Sequence, residues 1–288
     1  MIRSFLFVPA DSERKLQKAG DVGADAIILD LEDSVVPAAL PDARVLAREY
    51  LRGKSNVWVR INSIDGREAA ADLEAVMPSA PAGIVLPKPE SAAAAVKLAD
   101  RITVLESEHG IEAGSTGIIP LCTECPEALF TLNSYIGATE RLAGLSWGAE
   151  DLSAAIGSSR NRDEEGNWLP VYEMARSLCL LAAAAAEVPA IDTVFTDFKN
   201  MDGLRQYAAN ARRDGFSGML AIHPAQIEVI NTAFIPTNKE VENAARIVAL
   251  FAKNPGAGTV AMDGKMIDRP HLTQARRLLK MAQQARKK

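Results

Sequence analysis

"DAIILDLEDSVVPAALPDARVLAREYLRGKSNVWVRI", residues 25–61, decides how the rest of the chain is read. It opens on a β-rich apolar run, 25–31, and closes on another, 56–61. Between them, 37–52 carries a polar-apolar pattern of helical period. Short runs apolar on two faces, joined by a helix, imply parallel pairing with the helix outside the sheet.

The same unit recurs along the chain. Further runs are "RSFLFV" (3–8), "GIVLP" (83–87), "TGIIPLC" (116–122), "RLAGLSW" (141–147), "AIDTVF" (190–195) and "SGMLAI" (217–222). Helix candidates separate them at 11–20, 66–76, 90–101, 126–136, 170–187 and 200–213, and another follows at about 224–233. Eight such units predict an α/β chain folded as a (β/α)8 TIM barrel over residues 1–235. A doubly wound open sheet competes, but no G-x-G-x-x-G follows the first strand to favour it. Residues 236–288 exceed what a barrel needs. "IPTNKEVENAARIVALFAKNPGAG" predicts a helix closed by Asn-Pro-Gly, "TVAMDGKMID" a hairpin-like turn, and 270–287 a last helix. This tail is expected to be a lid or an oligomer arm.

Composition narrows the function classes. The 288 residues are 48% hydrophobic and 24% charged, with a formal net charge of −5. That balance leaves no electrostatic footprint for nucleic acid or an anionic membrane. The basic stretch "QARRLLKMAQQARKK" reads as a solvated helix face. The apolar run in "MIRSFLFVPADSERK" is too short for a signal core or a membrane span. Three cysteines in a chain of this length argue against a disulfide framework and for a cytoplasmic setting.

Barrel chemistry gathers where strands end. The polar residues there are Asp11, then Asp30, Glu32 and Asp33, then Arg60 and Asn62, then Lys88, Glu124, Glu150 with Asp151, Asp197 and His223. Glu124 and Asp151 lie one β/α unit apart, which places two carboxylates on neighbouring strand ends. Such a pair repels unless a cation joins it, and Mg²⁺ is suited to carboxylate, water and substrate oxygens. Alternatively each carboxylate caps the helix that follows it. Arg60 on an apolar strand needs an anion, either a substrate carboxylate or Asp30 or Glu32 from the neighbouring strand. Cys122-x-x-Cys125 has no second C-x-x-C and no nearby histidine, so neither zinc nor thiol redox chemistry is expected of it.

At these residues the chain resembles the citrate lyase β-subunit-like family of the HpcH/HpaI aldolase superfamily. The ordered matches are "RSFLFVPADSERKLQKA", "GADAIILDLEDSV", "VWVRINS", "GIVLPKPE", "IIPLCTECPEALF", "LSWGAEDLSAAIG", "AIDTVFTDFKN", "GFSGMLAIHPAQIEVIN" and "DGKMIDRPH". The resemblance implies a Mg²⁺-dependent barrel enzyme acting on CoA or acyl-carrier thioesters, as a homotrimer or a dimer of trimers. Its members cleave citryl-, malyl- or citramalyl-CoA into an acyl thioester and an α-keto acid, or are related condensing enzymes and thioesterases. It places Glu124 and Asp151 on metal ligands and Arg60 on the residue that binds the substrate carboxylate. Asp268 falls on an acid/base aspartate that a neighbouring subunit's lid supplies, although it is equally well a helix N-cap. Glu32 and Asp33 match an acidic pair at the substrate site. Pyruvate aldolases of the HpaI type carry histidine where this chain has Asp33, which argues against that branch.

Overall fold

The computed structural model describes residues 1–285, which fall into two compact units, Ile2–Ile230 and a second that begins at Asn231. The division lies a few residues before the expected 235/236 boundary, and the last three residues of the expected 236–288 arm lie outside the described residues.

The first unit holds eight strands: β1 (Ser4–Pro9), β2 (Ala26–Asp30), β3 (Val57–Arg60), β4 (Gly83–Leu86), β5 (Gly117–Pro120), β6 (Leu145–Ser146), β7 (Ala190–Asp192) and β8 (Gly218–Ala221). All pair in parallel, in the order β5-β4-β3-β2-β1-β8-β7-β6. Parallel bridges from Ile118 to Leu142 and from Leu121 to Ser146 join the two ends of that sheet. The result is the (β/α)8 barrel expected from the repeating units.

Its interior is a packed core of Phe5, Ile28, Trp58, Val85, Ile119, Leu121, Ile191 and Leu220. Trp58 fills so much of that space that a Cβ on Gly83 would lie 2.1 Å from its ring. Glycine in β4 is therefore a packing requirement of the indole across from it.

The helices are α1 (Glu13–Ala19), α2 (Leu40–Leu51), α3 (Glu68–Val76), α4 (Ala92–His109), α5 (Ala149–Ile156), α6 (Pro170–Ala185), α7 (Met201–Asp214) and α8 (Gln226–Ala233). α5 is not among the expected helices, and two further stretches differ from expectation. α4 runs on past 101 because Leu98, Ile102 and Glu106 continue its buried stripe, and it stops at Gly110 in the left-handed conformation. The expected 126–136 helix is instead two 3-10 turns, Pro126–Phe130 and Leu132–Tyr135. Buried Ala128, Leu132 and Tyr135 give the sequence its helical spacing. Thr131 breaks the run: it leaves helical geometry, and its hydroxyl donates to the Glu90 carbonyl at 2.6 Å.

The second unit contains α9 (Asn238–Lys253), a hairpin of β9 (Thr259–Met262) and β10 (Lys265–Asp268), and α10 (Arg269–Ala285). Asp263 and Gly264 turn the hairpin with φ of 53° and 74°, the Asp-Gly signature of a tight β-hairpin. Ala244, Ile247, Phe251, Ile267 and Ala275 form this unit's own small core. Among the described residues, no helix is long and apolar enough to cross a membrane.

Candidate active site

Parallel register decides what meets Arg60. Asp30 and Arg60 are paired positions on β2 and β3. The guanidinium donates from Nε and Nη2 to the two Asp30 oxygens, at 2.7 Å each. Its Nη1 lies 2.9 Å from Glu32 Oε2 and 3.5 Å from Asp33 Oδ2. The planar fork is thus engaged by Asp30, its remaining nitrogen faces Glu32 and Asp33, and Arg60 is among the residues that line a cavity at this end of the barrel. Burial works against the Arg60 charge, but Asp30 overcomes it and holds the group firmly protonated. In return, Arg60 draws the Asp30 carboxyl below its ordinary range despite burial.

Lys88 completes the cluster, and the sequence reading left it without a role. It follows β4 in the left-handed region, with φ of 51°, an uncommon conformation for a residue with a side chain. Its backbone N–H donates to Glu124 Oε2 at 2.8 Å, while its Nζ reaches Glu32 Oε1 at 2.5 Å, Asp33 Oδ1 at 3.0 Å and Asp151 Oδ1 at 3.2 Å. One residue therefore ties the ends of β2, β4 and β5 to the start of α5. Its place after the fourth strand was the only signal in the sequence, since backbone strain cannot be read there.

Glu124 and Asp151 come together as expected, and neither is a helix cap. Gly148 is the N-cap of α5, so Asp151 sits inside the first turn. The Glu124 side chain leaves the following turn alone and accepts from Lys88 instead. Glu124 is 4% exposed, and a Cβ on Gly148 would lie 2.7 Å from its carboxylate. Burial, and then the nearby Asp151 charge, push the Glu124 carboxyl up to about 8.

These residues line a cavity of about 390 Å³ at the C-terminal ends of the strands. Asp30, Asp33, Arg60, Glu124, Glu150 and Asp151 form its polar side, and Phe7, Leu121, Trp147, Val194, Leu220 and Ile222 its apolar wall. Trp147 is held by its Nε1–H, which donates to buried Asp192 at 2.7 Å. A second cavity of about 430 Å³ shares Phe7, Pro9 and Ile222 with the first and is lined by Arg14, Lys15, Lys18 and His223.

Glu124 and Asp151 are two carboxylates that suit a hard divalent cation, and among the described residues no group of three or more His, Cys, Asp or Glu converges to hold one. Asp30, Glu32, Asp33, Glu124 and Asp151 outnumber the cations Arg60 and Lys88. Glu124, raised by burial and by Asp151, is the type of carboxyl that a metal ion returns to its charged form. Glu32 Oε2 is buried without an aligned hydrogen bond, although Arg60 Nη1 lies 2.9 Å away, so this oxygen retains acceptor capacity. Asp268 belongs to the second unit, at the end of β10, where it is partly exposed and bonded to His271.

Comparison with known proteins agrees with this geometry. The HpcH/HpaI aldolase/citrate lyase family matches residues 3–224. Citrate lyase subunit beta of Leuconostoc mesenteroides subsp. cremoris is 36% identical over 288 residues, covering 97% of this chain and 93% of that protein. The (3S)-malyl-CoA thioesterase of Cereibacter sphaeroides (strain ATCC 17025 / ATH 2.4.3) is 35% identical, covering 98% of this chain and 94% of its own. Among solved structures, protein CitE from Mycobacterium tuberculosis in complex with magnesium, acetoacetate and coenzyme A superposes with a TM-score of 0.84 at 34% identity over 98% of both chains. With a parallel barrel, acids gathered at the strand ends and a match across nearly all of the first unit, the chain belongs to the HpcH/HpaI aldolase/citrate lyase family.

Proposed function

We propose that this protein is a Mg²⁺-dependent carbon–carbon lyase that reversibly cleaves a β-hydroxyacyl-CoA, of the citryl, malyl or citramalyl type, into an acyl thioester and an α-keto acid. The observation that carries this reading is the buried Glu124 carboxyl beside Asp151 in a cavity shared with Arg60. Glu124 and Asp151 would hold the ion. When bound, it supplies Lewis-acid stabilisation of charge on substrate oxygen.

The chain's own groups do the rest. Arg60, fixed by Asp30, lines the cavity, where a substrate carboxylate would share its Nη1 with Glu32 and Asp33. Glu32 and Asp33 hold Lys88 and Arg60 in place and set the charge around the substrate. The apolar wall of Leu121, Trp147 and Val194 excludes water beside the bond that breaks. The adjoining cavity places three cations, Arg14, Lys15 and Lys18, where the phosphates of a CoA thioester can extend from the site. The relative in complex with coenzyme A supports a CoA thioester as the ligand class. Asp268, carried by the tail, is assigned to protonate the thioester enolate in cleavage and to deprotonate the acyl methyl in condensation. In this reading residues 236–288 are a lid that supplies Asp268 to a neighbouring subunit, in a homotrimer or a dimer of trimers. The three free cysteines suit a cytoplasmic setting.

The test is a screen of malyl-, citramalyl- and citryl-CoA with and without Mg²⁺, following keto acid and acyl-CoA. Metal-dependent release of both products is expected. A second reading, favoured by the thioesterase relative, is hydrolysis of a malyl-type thioester. It would release free CoA and a hydroxy acid, with no keto acid. Activity only with a carrier-protein thioester would instead point to a complex-bound citrate lyase β subunit.

A further inference from the structure

Asp268 closes β10 and α10 begins at the next residue, so the first N–H groups of that helix need acceptors. The His271 backbone N–H donates to Asp268 Oδ1 at 3.4 Å. The His271 side chain returns to the same place: its Nδ1 is hydrogen-bonded to that same Oδ1, and the Asp268 backbone N lies 3.3 Å from Nδ1. The placement is that of a capping box, whose third helical position ordinarily carries Glu or Gln, but one ring nitrogen cannot both accept from the Asp268 N–H and donate to Oδ1, and the contact with Oδ1 is the closer of the two. The start of α9 shows the ordinary version, with Thr237 and Glu240.

Histidine changes what the box can do. A carboxylate oxygen and a bare ring nitrogen are both acceptors, so their close approach requires a proton between them. Glutamate at that position accepts only, whereas Nδ1–H donates. The contacts between His271 and the Asp268 carboxylate use Oδ1 alone, which leaves Oδ2 for a reacting proton.

We propose that His271 is a positioning residue for Asp268: it fixes the carboxylate through Oδ1 and favours its charged form, so that Oδ2 exchanges the proton with substrate. This rests on the reading of Asp268 as the acid/base group. The bond from His271 is the main cause that draws the Asp268 carboxyl below its ordinary range. Other charges bear on the pair. Arg269 and Lys265 flank Asp268 in the chain, and Glu240 of α9 lines a groove of about 220 Å³ with His271. The Glu240 carboxylate accepts from Thr237 N and Oγ1 at 2.7 and 2.8 Å, within its own capping box.

His271→Glu separates positioning from capping, because glutamate can accept from the Asp268 N–H, as a capping box requires, but cannot donate to Oδ1. The positioning role predicts an unchanged melting temperature, unchanged KM and a kcat about ten- to a hundredfold lower. It also predicts a shift of the acidic limb of the condensation rate. Without the donor, and with a like charge beside it, the Asp268 carboxyl rises, so its base form appears only at higher pH. The limb therefore moves upward. ¹³C NMR titration of the Asp268 carboxyl in the resting protein should move the same way. Asp268→Asn is the control. If it is inactive while His271→Glu keeps the wild-type kcat, limb and titration, the positioning role is overturned and Asp268 keeps its own. If Asp268→Asn is fully active, the assignment of Asp268 falls, and that of His271 with it.

Discussion

The barrel mouth and the start of α10 hold their acids by opposite means. At the mouth, Asp30 and Glu124 are 2% and 4% exposed, and their ionisation is set by burial together with neighbours drawn from other elements. Arg60 comes from β3, Lys88 from the end of β4, and Asp151 from α5. Asp268, by contrast, is partly exposed and tuned by a residue three positions away. Burial makes the Arg60–Asp30 pair expensive to disturb, because removing one charge strands the other in a low-dielectric setting. Exposure makes the Asp268 site tolerant of change but dependent on one local bond. Substitutions that cost fold stability at the mouth should therefore cost only chemistry in the tail.

The largest effect is expected from Glu124→Gln, which should lower turnover by about a thousandfold or more and abolish thermal stabilisation by Mg²⁺. The same variant exposes a pH signature in the metal-free protein. Glu124 sits at about 8 when folded, above its unfolded value, so the folded state binds the extra proton. As pH rises from the unfolded value towards 8, this carboxyl progressively destabilises the fold, by roughly 4 kcal/mol at the upper end. Glutamine does not titrate. The variant should therefore be the more stable protein near pH 8 and lose that advantage near pH 5. Chemical denaturation at both pH values reads the difference, and parallel pH dependence in the two proteins would mean that Glu124 is already charged without metal.

Asp268→Asn tests the other side of the comparison. It should lose about 10²–10⁴-fold in turnover while keeping both the melting temperature and Mg²⁺ binding. Mixing it with Glu124→Gln under conditions where subunits exchange should restore part of the activity, since some sites would regain both intact residues. Demonstrated exchange with no recovery would place Asp268 within its own chain's chemistry or reduce it to a helix cap.

Arg60 sharpens the contrast, because it is the structural partner of Asp30 and the proposed ligand of the keto-acid carboxylate. Arg60→Ala strands Asp30 and should destabilise the protein by about 3–5 kcal/mol. Arg60→Lys keeps a charge but loses the two-pronged bond to Asp30. It should retain the fold and raise KM for the keto acid about tenfold or more in the condensation direction. Lost stability with an unchanged KM would leave Arg60 a partner of Asp30 alone.

How much of this was legible follows the same division. The eight strands could be read because each is a short apolar run between helical patterns. The Asp263-Gly264 turn could be read because its chemistry is local. Glu124 and Asp151 were found by position, one unit apart on strand ends. Asp30 as the principal partner of Arg60 was one of three options, beside Glu32 and a substrate carboxylate, until register paired the residues. Lys88 stayed without a role because its value comes from a left-handed backbone and three carboxylates brought from elsewhere. Long-range pairing of charges leaves no periodic trace in a sequence, whereas apolar patterning and turn residues do.

The smallest effect is expected at the cysteines, where local spacing points to the wrong pair. Cys122 and Cys125 read as C-x-x-C, yet the Cys122 thiol lies 3.7 Å from Cys179 of α6, with both residues buried. Cys125 approaches the Lys88 carbonyl, with Sγ 3.6 Å away. Cys179 is the Cys122 partner that the sequence reading did not weigh. Hydrogen bonding to Cys122, together with burial, holds the Cys179 thiol well above its ordinary range, which disfavours the thiolate needed for redox chemistry. Changing Cys122 and Cys125 together to alanine removes packing atoms but no charge. Turnover should stay within a few-fold, and the melting temperature should fall by about 2–4 °C for each kcal/mol of packing lost. Activity that follows the oxidation state of the wild-type thiols would contradict this and make Cys122 and Cys179 a functional pair.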